Sequence, residues 1–188
     1  MKKTLIALLV SLAVTSAKAD YQIQFLTYNG TFSNPVFDVN GTTPLAGSAF
    51  LGQLYTGTSA GSLSAIGAAT AFLPLGAGDG YIEAVGTIAQ PSGSIFGGTA
   101  GFYQLRVWNA AGGANYEIAS ATAGAKIGSS AVTAVTFGGS PNGGGAPITP
   151  PQANLHSSFA LSTVAVPEPA SLALGLFGAA GLLFRRRK

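Results

Sequence analysis

The chain has 188 residues, no cysteine and a formal charge of +3 that comes from its ends, Lys2, Lys3 and Lys18 at one and Arg185, Arg186, Arg187 and Lys188 at the other. Between them five acids (Asp20, Asp38, Asp79, Glu83, Glu117) stand against Arg106 and Lys126, a side-chain balance of −3, which excludes the basic footprint of nucleic-acid binding. Lack of cysteine excludes disulfides, a Cys/His zinc site and a thiol nucleophile, and about 145 residues between the ends suffice for one unaided core.

Lys2-Lys3, the ten-residue stretch Leu5 to Val14 and Ala17-Lys18-Ala19 have the charged, apolar and cleavage regions of a secretory signal peptide over residues 1–19. Ten residues are too few to span a bilayer. Cleavage after Ala19, with Ala17 and Ala19 as the small residues of the site, makes Asp20 the first residue of the mature chain.

One domain is expected over residues 20–164, with the punctuation of an all-β fold. Tyr21 to Phe25 alternates with period two, Tyr21, Ile23 and Phe25 on one face and two glutamines on the other. Asn29-Gly30 supplies a turn, Val36 to Val39 a second strand, and Asn40-Gly41 a second turn. Further strands are expected at Ala49–Tyr55, Ala68–Leu73 and Tyr81–Ile88, separated by glycine-rich breaks. The alanine-rich stretch from Ser62 to Leu73 competes as a helix, but Gly67, Ile66, Thr70 and Pro74 weigh against it. The strongest strand is Ala100 to Trp108, apolar on both faces: Tyr103, Leu105 and Val107 on one, Phe102, Gln104, Arg106 and Trp108 on the other. Such a strand is central and covered on both sides. Beyond Gly112-Gly113, Tyr116-Glu117-Ile118 is expected to return beside it, with Glu117 pairing Arg106. Ala131 to Phe137 is another strand, 137–151 a mobile Gly/Pro loop, and Ser157 to Val164 the last strand. Turn signals every ten or so residues imply a single β-sandwich, jelly-roll-like, between a signal peptide and a C-terminal transmembrane helix.

Catalytic chemistry finds few residues. His156 is the lone histidine, and there is no G-x-S-x-G elbow, so no metal cluster or nucleophile triad is expected. Gly76, Gly78 and Gly80 lack the following Lys-Ser/Thr of a phosphate loop. Asp79 and Glu83 are the closest carboxylate pair, but a turn and a strand's wet face are not the two placed acids of a glycosidase. Asp38, Asn40, Asp79 and Glu83 have the oxygen chemistry calcium wants, without the repeated Asp/Asn loop that would identify a site; turn geometry accounts for them. The expectation is no catalytic residue, no metal and no cofactor.

The tail, 165–188, carries an address. Val166-Pro167-Glu168-Pro169 is extended because each proline lacks an amide donor and pushes its predecessor out of the helical region. A helix can begin at Ala170 and run to Phe184, fifteen residues or about 22 Å against a hydrocarbon core of about 30 Å. Arg185, Arg186, Arg187 and Lys188 form a basic stop that keeps this end inside and the middle of the chain outside. The order of box, apolar helix and cations resembles the PEP-CTERM sorting signal. That resemblance implies export, an inner-membrane anchor, and processing by an exosortase, a membrane transpeptidase of Gram-negative bacteria that make exopolysaccharide. A fainter resemblance, over Gln104 to Trp108, Tyr116-Glu117 and Gly128-Ser129-Ser130, is to outer domains of other such proteins and carries no assigned activity.

Two functions fit: an anchored, non-enzymatic structural component of an extracellular polysaccharide matrix, or a carbohydrate-binding module, which needs a solvent-exposed row of aromatics beside Asn or Asp. A hydrolase would need a carboxylate pair in a cleft.

Overall fold

Strict alternation makes strand β1 (Tyr21–Phe25): Tyr21, Ile23 and Phe25 are buried and the two glutamines half-buried on the reverse face. The computed structural model describes residues 21–28, 34–90, 95–154 and 157–166. The expected signal segment with Ala17 and Ala19, the Asn29-Gly30 turn, His156 and the tail from Pro167 onward lie outside the described residues. Within them follow β2 (Val36–Phe37), β3 (Phe50–Ser59), β4 (Ser62–Ala71), β5 (Gly86–Gln90) and β6 (Ala100–Asn109). A 3-10 turn (Ala110–Gly112) leads to α1 (Tyr116–Ala121), β7 (Lys126–Ser129), β8 (Thr133–Thr136), β9 (Phe159–Ala160) and β10 (Ser162–Thr163). The protein is all-β as expected, with α1 the only α-helix among the described residues.

β6 is the centre of a six-stranded sheet. Its whole length pairs antiparallel with β3, from Phe50 opposite Asn109 to Gly57 opposite Phe102. Its other edge is shared end to end: β7 lies against Arg106 to Trp108 and β8 against Ala100 to Tyr103. β4 lies outside β3 and β10 outside β7. β1 pairs antiparallel with β5, and β2 parallel with β9.

The two faces of β6 are covered differently. Tyr103, Leu105 and Val107, with Leu54 of β3 and Ile66 of β4, belong to the main core together with Tyr21, Ile23, Phe25 and Phe137. Each such side chain contributes about 1.5–3 kcal/mol by leaving water. The Tyr21 and Phe137 rings lie 4.7 Å apart, and the Tyr21 hydroxyl shares a 2.9 Å hydrogen bond with Thr56 Oγ1. Gly101 makes room for this packing: a methyl group there would strike the Phe137 ring and the Gly57 carbonyl. On the opposite face Trp108 is fully buried in a second cluster with Ala119 of α1 and Ala125, flanked by Leu51, Ala69, Tyr116, Ile127 and Val164.

Several expected elements take another form. Tyr116-Glu117-Ile118 does not return as a strand but begins α1, because Asn115 Oδ1 accepts the Ile118 amide and Glu117 sits in the first helical turn. The strand that lies beside Trp108 on that side is β7. Residues 62–71, where helix and strand compete in the sequence, are all strand, hairpinned to β3 through Ala60-Gly61. The strand carries a bulge at Gly67, whose φ of +62° suits glycine. Expected strand 81–88 is shifted to 86–90, and Ile82 makes only an isolated bridge to Phe72. Val36–Val39 shortens to two residues because Asp38 turns to take the Val39 amide, and 157–164 is split into β9 and β10 by buried Leu161. The expected 137–151 loop starts inside the core at Phe137 and is pinned by Gly138 to Gln22 and by Gly139 to Ile148.

Candidate functional site

Arg106 and Trp108 alternate with Leu105 and Val107, so they emerge on the face of β6 that α1 covers. The Arg106 guanidinium lies 4.1 Å from the centre of the Tyr55 ring and 5.2 Å from that of Tyr116, a cation set against two aromatics that meet edge to face. Its Nε donates to Gln104 Oε1 at 2.9 Å, and the expected pair with Glu117 is present at 3.4 Å. Glu117 also accepts the Tyr55 hydroxyl on both carboxylate oxygens at 2.9 Å. Burial of the phenol, then the carboxylate it touches, push the Tyr55 pKa up to about 12. Trp108 Nε1 donates to the Gly113 carbonyl at 2.9 Å. The contacts of Glu117 with Tyr55 and Arg106 hold α1 to the sheet.

The acids and turn residues singled out in the sequence are also engaged. Asp38 accepts Lys126 Nζ at 2.7 Å and the Val39 amide at 2.8 Å. Burial alone would raise its carboxyl, but these partners outweigh it and hold the pKa below the ordinary 3.8. Asn40 Oδ1 closes its turn by accepting the Thr42 and Thr43 amides, and Asp79 Oδ1 accepts the Gly76 amide. Glu83 is exposed. Among the described residues no group of three or more His, Asp or Glu could hold a metal ion. Tyr28, 49% exposed and stacked 5.0 Å from Tyr81, is the only exposed aromatic among them, so no aromatic row faces solvent there. The same face of the sheet carries an open groove of about 400 Å³ where half-buried Phe102 lies among Thr58, Ala134 and Thr136.

The chain's last described stretch joins this domain to the tail. Leu161 is buried, and its amide donates to the Phe37 carbonyl at 2.9 Å. β10 pairs with β7, Ser162 opposite Ile127 and Thr163 opposite Lys126. Val164 donates to the Ala125 carbonyl at 2.7 Å and accepts the Gly124 amide at 2.9 Å. Ala165 and Val166 are exposed, and Pro167 follows. Residues 165–188 match the PEP-CTERM protein-sorting motif. The expected box, Val166 to Pro169, and the basic stop, Arg185 to Lys188, fall within it. A PEP-CTERM segment is a sorting signal of exported, membrane-associated proteins and implies processing by exosortase. No curated protein and no solved structure matches the chain. Among the described residues no helix is long and apolar enough to cross a membrane, and the expected anchor at 170–184 lies beyond them.

Sequence reading missed Tyr55, Gln104 and Asn115 as the partners that fix α1. Asn115 carried a signal, an Asn placed as a helix cap just ahead of Glu117 in the first turn. Tyr55 and Gln104 carried none, because only strand register brings them together.

Proposed function

We propose that this protein is a non-enzymatic structural component of the extracellular polysaccharide matrix. On this reading the signal peptide is removed after Ala19, and Ala170 to Phe184 holds the chain in the inner membrane with Arg185, Arg186, Arg187 and Lys188 inside. An exosortase-type transpeptidase then acts at the Pro167-Glu168-Pro169 box. The outer part is read as one β-sandwich, jelly-roll-like, with its core between the central sheet and the β1–β5 side.

One observation carries this reading: the sorting motif starts at residue 165, directly after the last of the described residues hydrogen-bonded to a charge-poor β-domain that shows no row of exposed aromatics among those residues. The test is to change Glu168→Ala or Pro167→Leu in a host that processes the wild type. Both variants should keep the apolar anchor and accumulate unprocessed in the membrane. Equal release of wild type and variants would reduce the box to a linker.

The groove at Phe102 supports a second reading, a carbohydrate-binding module. Binding of the secreted protein to a polysaccharide panel, lost on Phe102→Ala with folding intact, would favour it; no binding across the panel would leave the structural role.

A further inference from the structure

We propose that β10 and Val164 form a latch that controls access of the processing enzyme to the Pro167-Glu168-Pro169 box. The inference rests on the sorting role proposed above and concerns what governs its rate.

Reach sets the problem. From Val164, the last of the described residues hydrogen-bonded to the domain, to Pro167 is three residues, at most about 10 Å of extended chain. A folded domain of about 145 residues has a radius of gyration near 15 Å. On the other side of the box the apolar run begins at once, at Ala170. With the apolar run in the bilayer, as proposed above, three residues are too little chain on the domain side for an enzyme to surround the box.

Main-chain chemistry gives the same answer. A proline-flanked glutamate is a poor helix former by sequence, and peptides bound as strands are held through their amides and carbonyls. Upstream of the box those groups are already taken. The Val164 amide and carbonyl are bonded to Ala125 and Gly124, and Ser162 and Thr163 pair with β7. The same groups cannot serve the domain and the enzyme at once.

The latch is built to open without unfolding what lies behind it. β10 has two residues, both exposed, at the sheet's edge, and Ser162 Oγ reaches the Ile127 carbonyl only at 3.5 Å. Short exposed edge elements open at low cost. Leu161 is the stop: it is buried in the main core and packs over Gly128, where a Cβ would strike its side chain. Peeling from Ser162 to Val164 moves the last fixed point back to Leu161 and doubles the reach to about 20 Å.

The test locks the latch. Ser162→Cys and Ile127→Cys stand directly opposite each other, and the chain has no other cysteine. Release of the full-length protein is followed by pulse–chase in a host that processes the wild type. The oxidised double variant should be released at least about tenfold more slowly, since its competent state is removed, while Ser162→Cys alone behaves as wild type and Ile127→Cys alone is not slowed. Reductant should restore the rate, and so should six Gly/Ser residues inserted between Val166 and Pro167 of the oxidised variant. Wild-type release from the oxidised variant overturns the latch while leaving the sorting role standing, and slowing that neither reductant nor spacer reverses also overturns it. A wild type whose release does not depend on Glu168 refutes the sorting role, and the latch with it.

Discussion

Replacing Trp108 with Ala tests the account of the domain most directly, because this is the only tryptophan in the chain and it is fully buried. Removal of so large a buried ring costs about 3–5 kcal/mol in transfer and cavity terms. The indole N–H to Gly113 adds a smaller part, about 0.5–1.5 kcal/mol net, and leaves that carbonyl without its donor. Trp108→Phe separates the two, keeping most of the ring while losing the hydrogen bond, and should cost about 1–2 kcal/mol. Against a total stability of about 5–15 kcal/mol the Ala variant is at the edge of folding, with a melting temperature lower by roughly 10 °C or more. Urea or thermal unfolding followed by far-UV circular dichroism measures both variants, and the wild type's emission reports the site alone. Blue-shifted emission unaffected by added polysaccharide is expected. Water-exposed emission quenched by a glycan, with the Ala variant as stable as wild type, would refute the packing argument and make Trp108 a binding residue.

Three further outcomes follow from the same contacts. The Asp38 carboxyl has its folded-state pKa below the unfolded one, so the Lys126 pair stabilises above the unfolded value and the gain is lost as pH falls through the folded one. Lys126→Met should flatten that acid limb in urea titrations, by under about 1 kcal/mol because both partners are part-exposed. Tyr55 has the opposite sign: its contribution is complete below the unfolded phenol's pKa near 10 and disappears as pH rises toward about 12. Ultraviolet titration should therefore lose a late-ionising phenol in Tyr55→Phe. Gly101→Ala should destabilise by about 1–3 kcal/mol, read from the urea midpoint, because the Phe137 ring and the Gly57 carbonyl leave no space for a methyl group.

Period-two patterning was enough to read β1 and β6, and parity along β6 put Trp108 and Arg106 on one face and Leu105 on the other. What it could not give was the identity of the cover. A six-residue helix has too few turns to show a 3.6 period, so α1 is specified by its Asn115 cap and by two docking contacts from residues more than ten positions away. The Arg106–Glu117 pair was foreseeable from scarcity of charge, yet it joins a strand to a helix rather than two strands. β4 was ambiguous because alanine suits a helix locally, and only the bulged pairing with β3 decides for strand. β7 lay in a run, Lys126 to Ser129, with neither clear alternation nor branched bulk. The sorting motif at 165–188 was legible, since a box, an apolar run and terminal cations need no tertiary partner to be recognised. Its attachment to Gly124 and Ala125 was not, because nothing near Val164 in sequence names a partner some forty residues earlier.

That attachment links two functions that composition would otherwise keep apart. The described surface is charge-poor, and the ion pairs Arg106–Glu117 and Lys126–Asp38 join cations to acids of the same domain. Electrostatics therefore gives little long-range hold on a membrane or a charged polymer, which fits the retention by the tail proposed above. Substitutions in most of the domain should accordingly alter its stability without altering its sorting. The exception is the pocket of Trp108, one side of which is closed by Val164, the residue that also ends the latch. Loosening the pocket weakens the seat of Val164, and pulling Val164 away uncovers the indole. On the latch proposed above, packing and processing are thermodynamically linked at this place, and by reciprocity an enzyme that held the peeled strand would lower the stability of the cluster it leaves behind.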